Sequence, residues 1–560
     1  MNNLVVLPLL LPLCTAVLLL FFKERVQLQR IISAAGQSAT AIACVLLLVQ
    51  TGSSGIQLLA MGGWAAPYGI VFTADFFAAL LVTAATITAG FCLAFSFGTV
   101  GVEREKFYFY PFFQFLMAGV NGSFLTGDLF NLFVCFEVLL ISSYALLVLG
   151  GTKRQLRATL SYMLINILSS TLFVAAVAYL YGVTGTLNMA HLSVRIAEAG
   201  QGGILNVIAV LFLIVFSLKA GLFLFFWLPG AYQAPPPAVS ALFAALLTKV
   251  GIYALVRTFT LLFPGDPGVT HVWIAWMAGA TMILGAVGAL ASKDVMRILN
   301  FNIVISVGFV AFGLAVANEA SLQGVVFYLL HDMAAKALLF LLGGMMIREA
   351  GAHQLNAMGG LISRAPWLGW MFLVAALAAA GIPPLSGFGG KLLLLQGGLQ
   401  AQSYVLTAIS LFSSLIVLYT LVRLFIKAFW GEQRIGPATA VETGAVTDVS
   451  VGANGAAVAV ADGSVQSIGA AKADATAKKA ARRDAATAVH AVAVATAGKT
   501  PHGPANGPRS TSRGHLVLAG VLCLIVVLMG VGSEWMAKAA KEAAHTLVDP
   551  SVYIEAVLKE

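Results

Sequence analysis

Charge is what this sequence has little of: Asp, Glu, Lys and Arg together make up 10% of 560 residues, while 60% are hydrophobic and the mean hydropathy is +0.93. A soluble chain of this length carries an apolar share nearer 45–50% (order of magnitude), so a water-soluble globular protein is excluded and a polytopic membrane protein is expected. Cysteine is scarce as well. Cys14, Cys44, Cys92, Cys135 and Cys523 all fall inside apolar runs and share no CxxC spacing, which leaves them as small core residues. The chain has no zinc, haem or iron–sulfur ligand pattern, no GxxxxGK[ST] phosphate loop and no Rossmann fingerprint after a strand, so neither a metal or cofactor nor nucleotide-driven chemistry is expected.

What is present is a series of long apolar runs. Windows of about 20 residues, enough to cross a ~30 Å hydrocarbon core, fall at residues 3–22, 29–50, 71–99, 108–126, 129–149, 158–182, 204–227, 238–260, 270–291, 299–317, 323–346, 367–399 (interrupted), 404–429 and 515–533. An all-α membrane protein of about fourteen transmembrane helices follows, without the short alternating segments of a β-barrel. The first run has no basic segment before it and no small-residue cleavage pattern after it, and is expected to be retained.

Lysine and arginine cluster in alternate loops: Lys23, Arg25 and Arg30; Arg104 and Lys106; Lys153, Arg154 and Arg157; Lys293 and Arg297. The positive-inside rule puts these loops in the cytoplasm and both termini outside. The net charge of +9 is thereby a product of topology, and no nucleic-acid partner is expected. One stretch breaks the pattern. Residues 436–514 are rich in Ala, Thr, Val and Gly with a basic patch, "KKAARRD" at 478–484. They read as a disordered, low-complexity cytoplasmic linker, with anionic lipid as an alternative role for Lys478, Lys479, Arg482 and Arg483.

Several runs keep ionisable residues. Glu137 stands in the fifth helix, Lys219 in the seventh, Lys249 in the eighth, His331, Asp332 and Lys336 in the eleventh, and Lys391 in the twelfth. A charge at a helix centre costs about 2.5–3.5 kcal/mol on insertion scales, so such residues face protein, water or a partner. Each has a plain alternative. Lys249 could snorkel, Asp332 and Lys336 could neutralise each other at i, i+4, and His331 could be a hydrogen-bonded core residue. Asp75, near the start of the third helix, could be interfacial. Five charged spans in one chain favour a shared polar axis, with Asp75 and Asp332 as supporting members. Two spans are also broken: "WLPGAYQAPPPAVS" follows Lys219 and contains Pro229, and "AGIPPLSGFGGK" contains Pro383 and Pro384 ahead of Lys391. Lipid does not tolerate the unpaired backbone such breaks create, whereas a polar cavity does. Broken segments at corresponding places of two halves mark an inverted-repeat transporter, with helices 4–8 and 9–13 as the five-helix repeats.

The stretches "GDLFNLFVCFEVLLISSY", "SLKAGLFLFFWLPGAYQAPPPAVSALFAALLTKVGIYALVR", "LLHDMAAKALLFLLGG", "AGIPPLSGFGGK" and "LYTLVRLFIKAFWG" resemble the antiporter-like subunits shared by Mrp-type cation/proton antiporters and the proton-pumping arm of respiratory complex I. "GGWAAPYGIVFTAD" at 62–75, Tyr232 after "WLPGA" and the ending "AAHTLVDPSVYIEAVL" are similar to the D-type antiporter subunits. The resemblance implies N-terminal helices 1–3 in residues 1–100, repeats in 101–262 and 263–431, the linker in 432–514 and a last helix with its tail in 515–560. It implies proton transfer through Glu137 and Lys219 as an ion pair, then Lys249, His331, Lys336 and Lys391. It further implies other hydrophobic antiporter subunits as partners, Na+ or K+ as the exchanged ion, contact with membrane lipid, and a bacterial inner membrane. The alternative is a proton-pumping subunit of complex I or of a membrane-bound hydrogenase.

Overall fold

The computed structural model describes residues 2–432 and 512–559. The linker and its basic patch, Lys478, Lys479, Arg482 and Arg483, lie outside the described residues. Every expected span has a helix. Among the described residues eleven helices are long and apolar enough to cross a membrane on their own, and the remaining three expected crossings use shorter pieces. The first four are α1 (Leu7–Leu20), α2 (Val26–Ser54), α3 (Phe76–Ser96) and, after the short α4 (Val102–Lys106), α5 (Phe109–Leu125). Residues 71–74, expected as the start of the third span, are instead strand β2 (Val71–Ala74), paired antiparallel with β1 (Gln57–Ala60). The Gly- and Pro-rich turn between them and the branched or aromatic "VF" pair favour a hairpin over a first helical turn.

The first repeat continues with α6 (Leu129–Val148), α7 (Lys153–Thr184), α8 (Met189–Ala199), α9 (Ile204–Ala220), the short α10 (Leu228–Gln233) and α11 (Pro237–Arg257). The second holds α12 (Thr270–Ala291), α13 (Val295–Val316), α14 (Glu319–Ala350), the four-residue α15 (Leu361–Arg364), α16 (Pro366–Ala380), α17 (Ser386–Gln400) and α18 (Tyr404–Phe429). After the linker come α19 (Arg513–Val531), α20 (Ser533–Val548) and α21 (Pro550–Leu558), so the tail is two further helices rather than a plain extension.

An internal repeat is written in the backbone. Asp128 caps α6 and bridges to Asn188, with Leu129 N bonded to Leu187 O and Met189 N to Gly127 O. Asp294 caps α13 and bridges to Gln354, with Val295 N bonded to His353 O and Leu355 N to Lys293 O. The same capped bridge thus recurs at the fifth and tenth crossings. Five crossings is an odd number, so the two copies start from opposite membrane faces and are inverted.

Both interrupted helices stop at a glycine. Gly221 (φ +76°) ends α9 and Gly381 (φ +87°) ends α16, a left-handed conformation that glycine reaches without a Cβ penalty. Pro229 then sits at the first turn of α10, and Pro383 and Pro384 occupy the turn before α17, positions where a missing N–H costs nothing.

Close packing depends on small residues, because lipid removes the hydrophobic drive between helices. A Cβ on Gly251 would lie 2.6 Å from Ala220 N, so α11 passes directly against the end of α9. The consequence is a graded interior. In α11 and α14 the whole apolar window is buried, against 28% in α1 and α19, which makes α11 and α14 the central pair without a lipid-facing side.

Candidate functional site

The central pair carries the charges. On α14, His331 and Asp332 are successive and point about 100° apart, while Lys336 lies one turn beyond Asp332 on nearly the same face. Asp332 faces α11, where its carboxylate oxygen Oδ2 takes Lys249 Nζ at 2.7 Å. Lys336, one turn on, lies 3.6 Å from the other oxygen of Asp332 and donates to Asn302 O of α13 at 3.0 Å. His331 turns toward α17, with Nδ1 2.7 Å from Ser386 Oγ.

Lys249 does not snorkel: it is 1% exposed and also donates to Ala244 O at 2.7 Å. Asp332 and Lys336 are not a self-contained pair either, since the shorter contact of Asp332 reaches into the other repeat. The carboxylate is therefore the joint between the two halves. Buried charges need such partners, because desolvation costs several kcal/mol per ion (order of magnitude) unless geometry and hydrogen bonds compensate.

At one end of the axis stand Glu137 on α6 and Lys219 in the last turn of α9. They do not form the expected direct ion pair. Ser170 of α7 lies between them, donating to Glu137 Oε1 and accepting from Lys219 Nζ at 3.2 Å. Lys219 Nζ also lies 4.9 Å from the ring centre of Phe136, a cation–π contact.

At the other end, Lys391 Nζ donates to Ala379 O (3.1 Å) and Ala380 O (2.8 Å) and lies 4.8 Å from the Phe309 ring centre. It has no carboxylate within 4 Å among the described residues. Those carbonyls belong to the last turn of α16, so the ammonium satisfies orphan acceptors at the negative end of a helix dipole. Lys219 stands in the final turn of α9, before the break of its helix, whereas Lys391 stands on α17, after the break of its own. Each lysine is set beside a phenylalanine from the equivalent helix, Phe136 from α6 and Phe309 from α13.

Several buried polar atoms on the same helices have no protein partner: Ser217 Oγ on α9, Tyr232 OH on α10, Thr248 Oγ1 beside Lys249, and Asn300 and Asn302 Oδ1 on α13. Such atoms favour water, and hydroxyls can both accept and donate a proton. Chemically, the arrangement can pass protons along a line of carboxylate, hydroxyl and amine groups.

Asp75 stands apart. It caps α3, accepting from Ala78 N at 3.0 Å, and is fully buried rather than interfacial. Both of its oxygens take the Arg257 guanidinium, at 2.7 and 2.8 Å. Sequence reading weighed formal charges in mid-span, and so passed over Ser170, Ser386, Asn302 and Arg257; a lone serine in an apolar run carries no signal by itself. The three prolines lie at the breaks but make none of the polar contacts described above.

A polytopic helical membrane protein with an inverted repeat and a buried ionic axis across both halves is an antiporter-like membrane subunit. Residues 126–417 match the family model described as NADH:quinone oxidoreductase/Mrp antiporter, TM, and the chain belongs to that family. It is 46% identical, over the full length of both chains, to the D subunit of the Na(+)/H(+) antiporter of Bacillus subtilis (strain 168). It is 50% identical to the corresponding D subunit of the Na(+)/H(+) antiporter of Alkalihalophilus pseudofirmus, over 78% of this chain and 88% of that protein. Among solved structures it superposes on a chain of the Mrp complex from Dietzia sp. DQ12-45-1b with a TM-score of 0.82 and 28% identity, covering both chains fully. A chain of respiratory complex I from Thermus thermophilus shares the fold, with a TM-score of 0.74 at 22% identity over 97% of this chain and 99% of that one.

Proposed function

We infer that the chain is the D-type subunit of a multisubunit cation/proton antiporter: a secondary transporter subunit, not an enzyme. The observation that carries this is the full-length 46% identity to a D-type antiporter subunit. The complex I reading rests on a likeness of fold at lower identity, and no feature of the axis favours it.

In this reading the residues 101–262 and 263–431 are the two working halves. Glu137, Ser170 and Lys219 form the entry group, Lys249, Asp332 and Lys336 the joint, and His331 with Lys391 the exit. A lysine held by a carboxylate keeps its proton, and one released into an apolar site gives it up, so rearranging a pair moves a proton. A membrane potential supplies about 2.3 kcal/mol per charge per 100 mV, comparable to one such rearrangement. Other hydrophobic subunits complete the complex, Na+ or K+ is the counter-transported ion, and the setting is a bacterial inner membrane with both termini on the periplasmic side.

The test uses everted vesicles from an antiporter-deficient host that expresses the complete set of subunits. With an acid interior and a pH-sensitive dye, adding Na+ or K+ should cause rapid alkalinisation that Glu137→Gln abolishes, and the effective ion names the substrate. Absence of any cation response, together with NADH-driven acidification that needs this chain, would overturn the reading.

A further inference from the structure

Among the described residues, Phe223 is the one non-glycine residue with a positive φ (+59°) inside a crossing; Tyr108, Ala317 and Gln402 stand at helix ends or in a turn between helices. Phe223 falls at the break of the seventh helix, four residues after Lys219. Leu224 N donates back to Leu222 O at 2.6 Å, so Phe223 is the centre of a three-residue turn of the positive-φ kind, which is rare and strained. A bulky residue keeps such a conformation only where its surroundings impose it. Packing of the ring does little of this, since Phe223 is 40% exposed. What holds the turn is a hydrogen bond: Phe223 N donates to Thr281 Oγ1 at 2.7 Å. Thr281 is buried near the middle of α12, and its hydroxyl proton goes to Met277 O, which leaves Oγ1 as the acceptor for the turn.

The bonds around the turn lead to Lys219. Gly221 N and Leu222 N both donate to Ser217 O at 2.9 Å and close the last turn of α9. Trp227 Nε1 donates to Leu218 O at 3.1 Å. Leu222 is therefore shared: its N–H closes the helix that carries Lys219, and its carbonyl belongs to the strained turn. Thr281 comes from the other repeat. Asn300 of that same repeat donates to Pro229 O at 3.2 Å, so the second half grips the break of the first half at two points. The grip is one-sided. Among the described residues, the hydrogen bonds at the second break, His331 with Ser386 and Lys391 with Ala379 and Ala380, stay within their own repeat.

We propose that Thr281 is a positioning residue for Lys219: from the second repeat it holds the strained turn that fixes the last turn of α9, and so sets the ammonium against Ser170 and Glu137. It acts through the backbone of residues 221–224 and hydrogen-bonds to none of the charged side chains of the axis. The proposal deepens the antiporter reading and rests on it for the part that Lys219 plays. Without the acceptor, Phe223 relaxes to negative φ, Leu222 leaves Ser217 and the end of α9 frays.

The experiment uses the complete complex. Thr281→Val keeps the shape of the side chain and removes the acceptor. In everted vesicles, cation-driven exchange should fall about tenfold, the effect of losing one hydrogen bond. The pH profile of exchange should also move by about one unit, which a mere loss of complex does not produce. Thr281→Ser keeps the oxygen and should behave like wild type. In Phe223→Gly/Thr281→Val, glycine adopts the positive φ without a Cβ penalty, and exchange should return to within about threefold of wild type. Deuterium uptake by the peptide around residues 217–227 in the solubilised complex should be about tenfold faster in Thr281→Val than in wild type. A Thr281→Val complex that assembles with the exchange and pH profile of wild type overturns the proposal. So does a loss of exchange or of assembly that the added Phe223→Gly does not relieve, since Thr281 then acts by packing and not through the turn. If wild type shows no cation-driven exchange, the antiporter reading fails, while the deuterium comparison still decides whether Thr281 holds the turn.

Discussion

Replacing Asp332 by Asn keeps the shape of the side chain and removes the one negative charge shared by two buried lysines. At an effective dielectric constant of about 20, a charge pair at 2.7 Å is worth ~6 kcal/mol and one at 3.6 Å ~5 kcal/mol before desolvation. Desolvation offsets much of that gain, and removing one partner of a buried pair typically costs about 3–5 kcal/mol. Lys249 and Lys336 would then face each other without a counter-ion. A joint without its carboxylate lacks the group that bridges the two halves. At 1.36 kcal/mol per tenfold, the deficit corresponds to a fall in cation-driven exchange of roughly a hundredfold or more. The assay is dye-monitored exchange in everted vesicles with all subunits present and complex abundance measured alongside. Asp332→Glu should recover part of the activity. An Asn variant that assembles normally and keeps exchange within about threefold of wild type would refute the idea that Asp332 joins the two halves.

Ser170→Ala removes the hydroxyl between Glu137 and Lys219; exchange should drop by roughly tenfold, the worth of one charge-assisted hydrogen bond, and Ser170→Thr should restore most of it in the same vesicle assay. Gly251→Ala places a methyl 2.6 Å from Ala220 N, so α11 must move off α9, at a cost of about 1–3 kcal/mol for overpacking; the solubilised complex should melt at lower temperature and Gly251→Ser should do no better. Gly387→Ala drives a Cβ into Ala378 O and against His331 Nε2, and should abolish exchange even if some complex assembles. Asp549 caps α21, and the Ser551 hydroxyl and backbone N–H hold its carboxyl below the ordinary value of 3.8. A depressed carboxylate stabilises the fold above its unfolded pKa and loses that contribution as pH falls through the folded value. Proteolysis of the tail should therefore rise only below about pH 4 in wild type, and already at neutral pH in Asp549→Ala.

The sequence by itself determined the class of fold, because a polar backbone in lipid leaves helices as the way across for a chain without barrel alternation. It also placed the crossings to within a few residues and picked out Glu137, Lys219, Lys249, His331, Lys336 and Lys391, since a charge in an apolar run stands out against its surroundings. The interruptions of the seventh and twelfth helices were visible as Pro and Gly clusters, although Gly221 and Gly381, not the prolines, end the helices. Which charge meets which was decided by tertiary structure alone. Helical periodicity fixes the face on which a side chain lies but not the helix packed against that face. That is why Asp332, four residues from Lys336, makes its shorter contact with Lys249 across the repeat boundary. It is why Ser170, silent in the sequence, stands between Glu137 and Lys219. Asp75 is the extreme case: it looked interfacial beside its neighbours, and it is buried because Arg257, 182 residues away, and Thr546, 471 residues away, converge on it. Those meetings depend on close passages at small residues, on two glycine-ended helices and on a tail that folds back, none of which has a local signature.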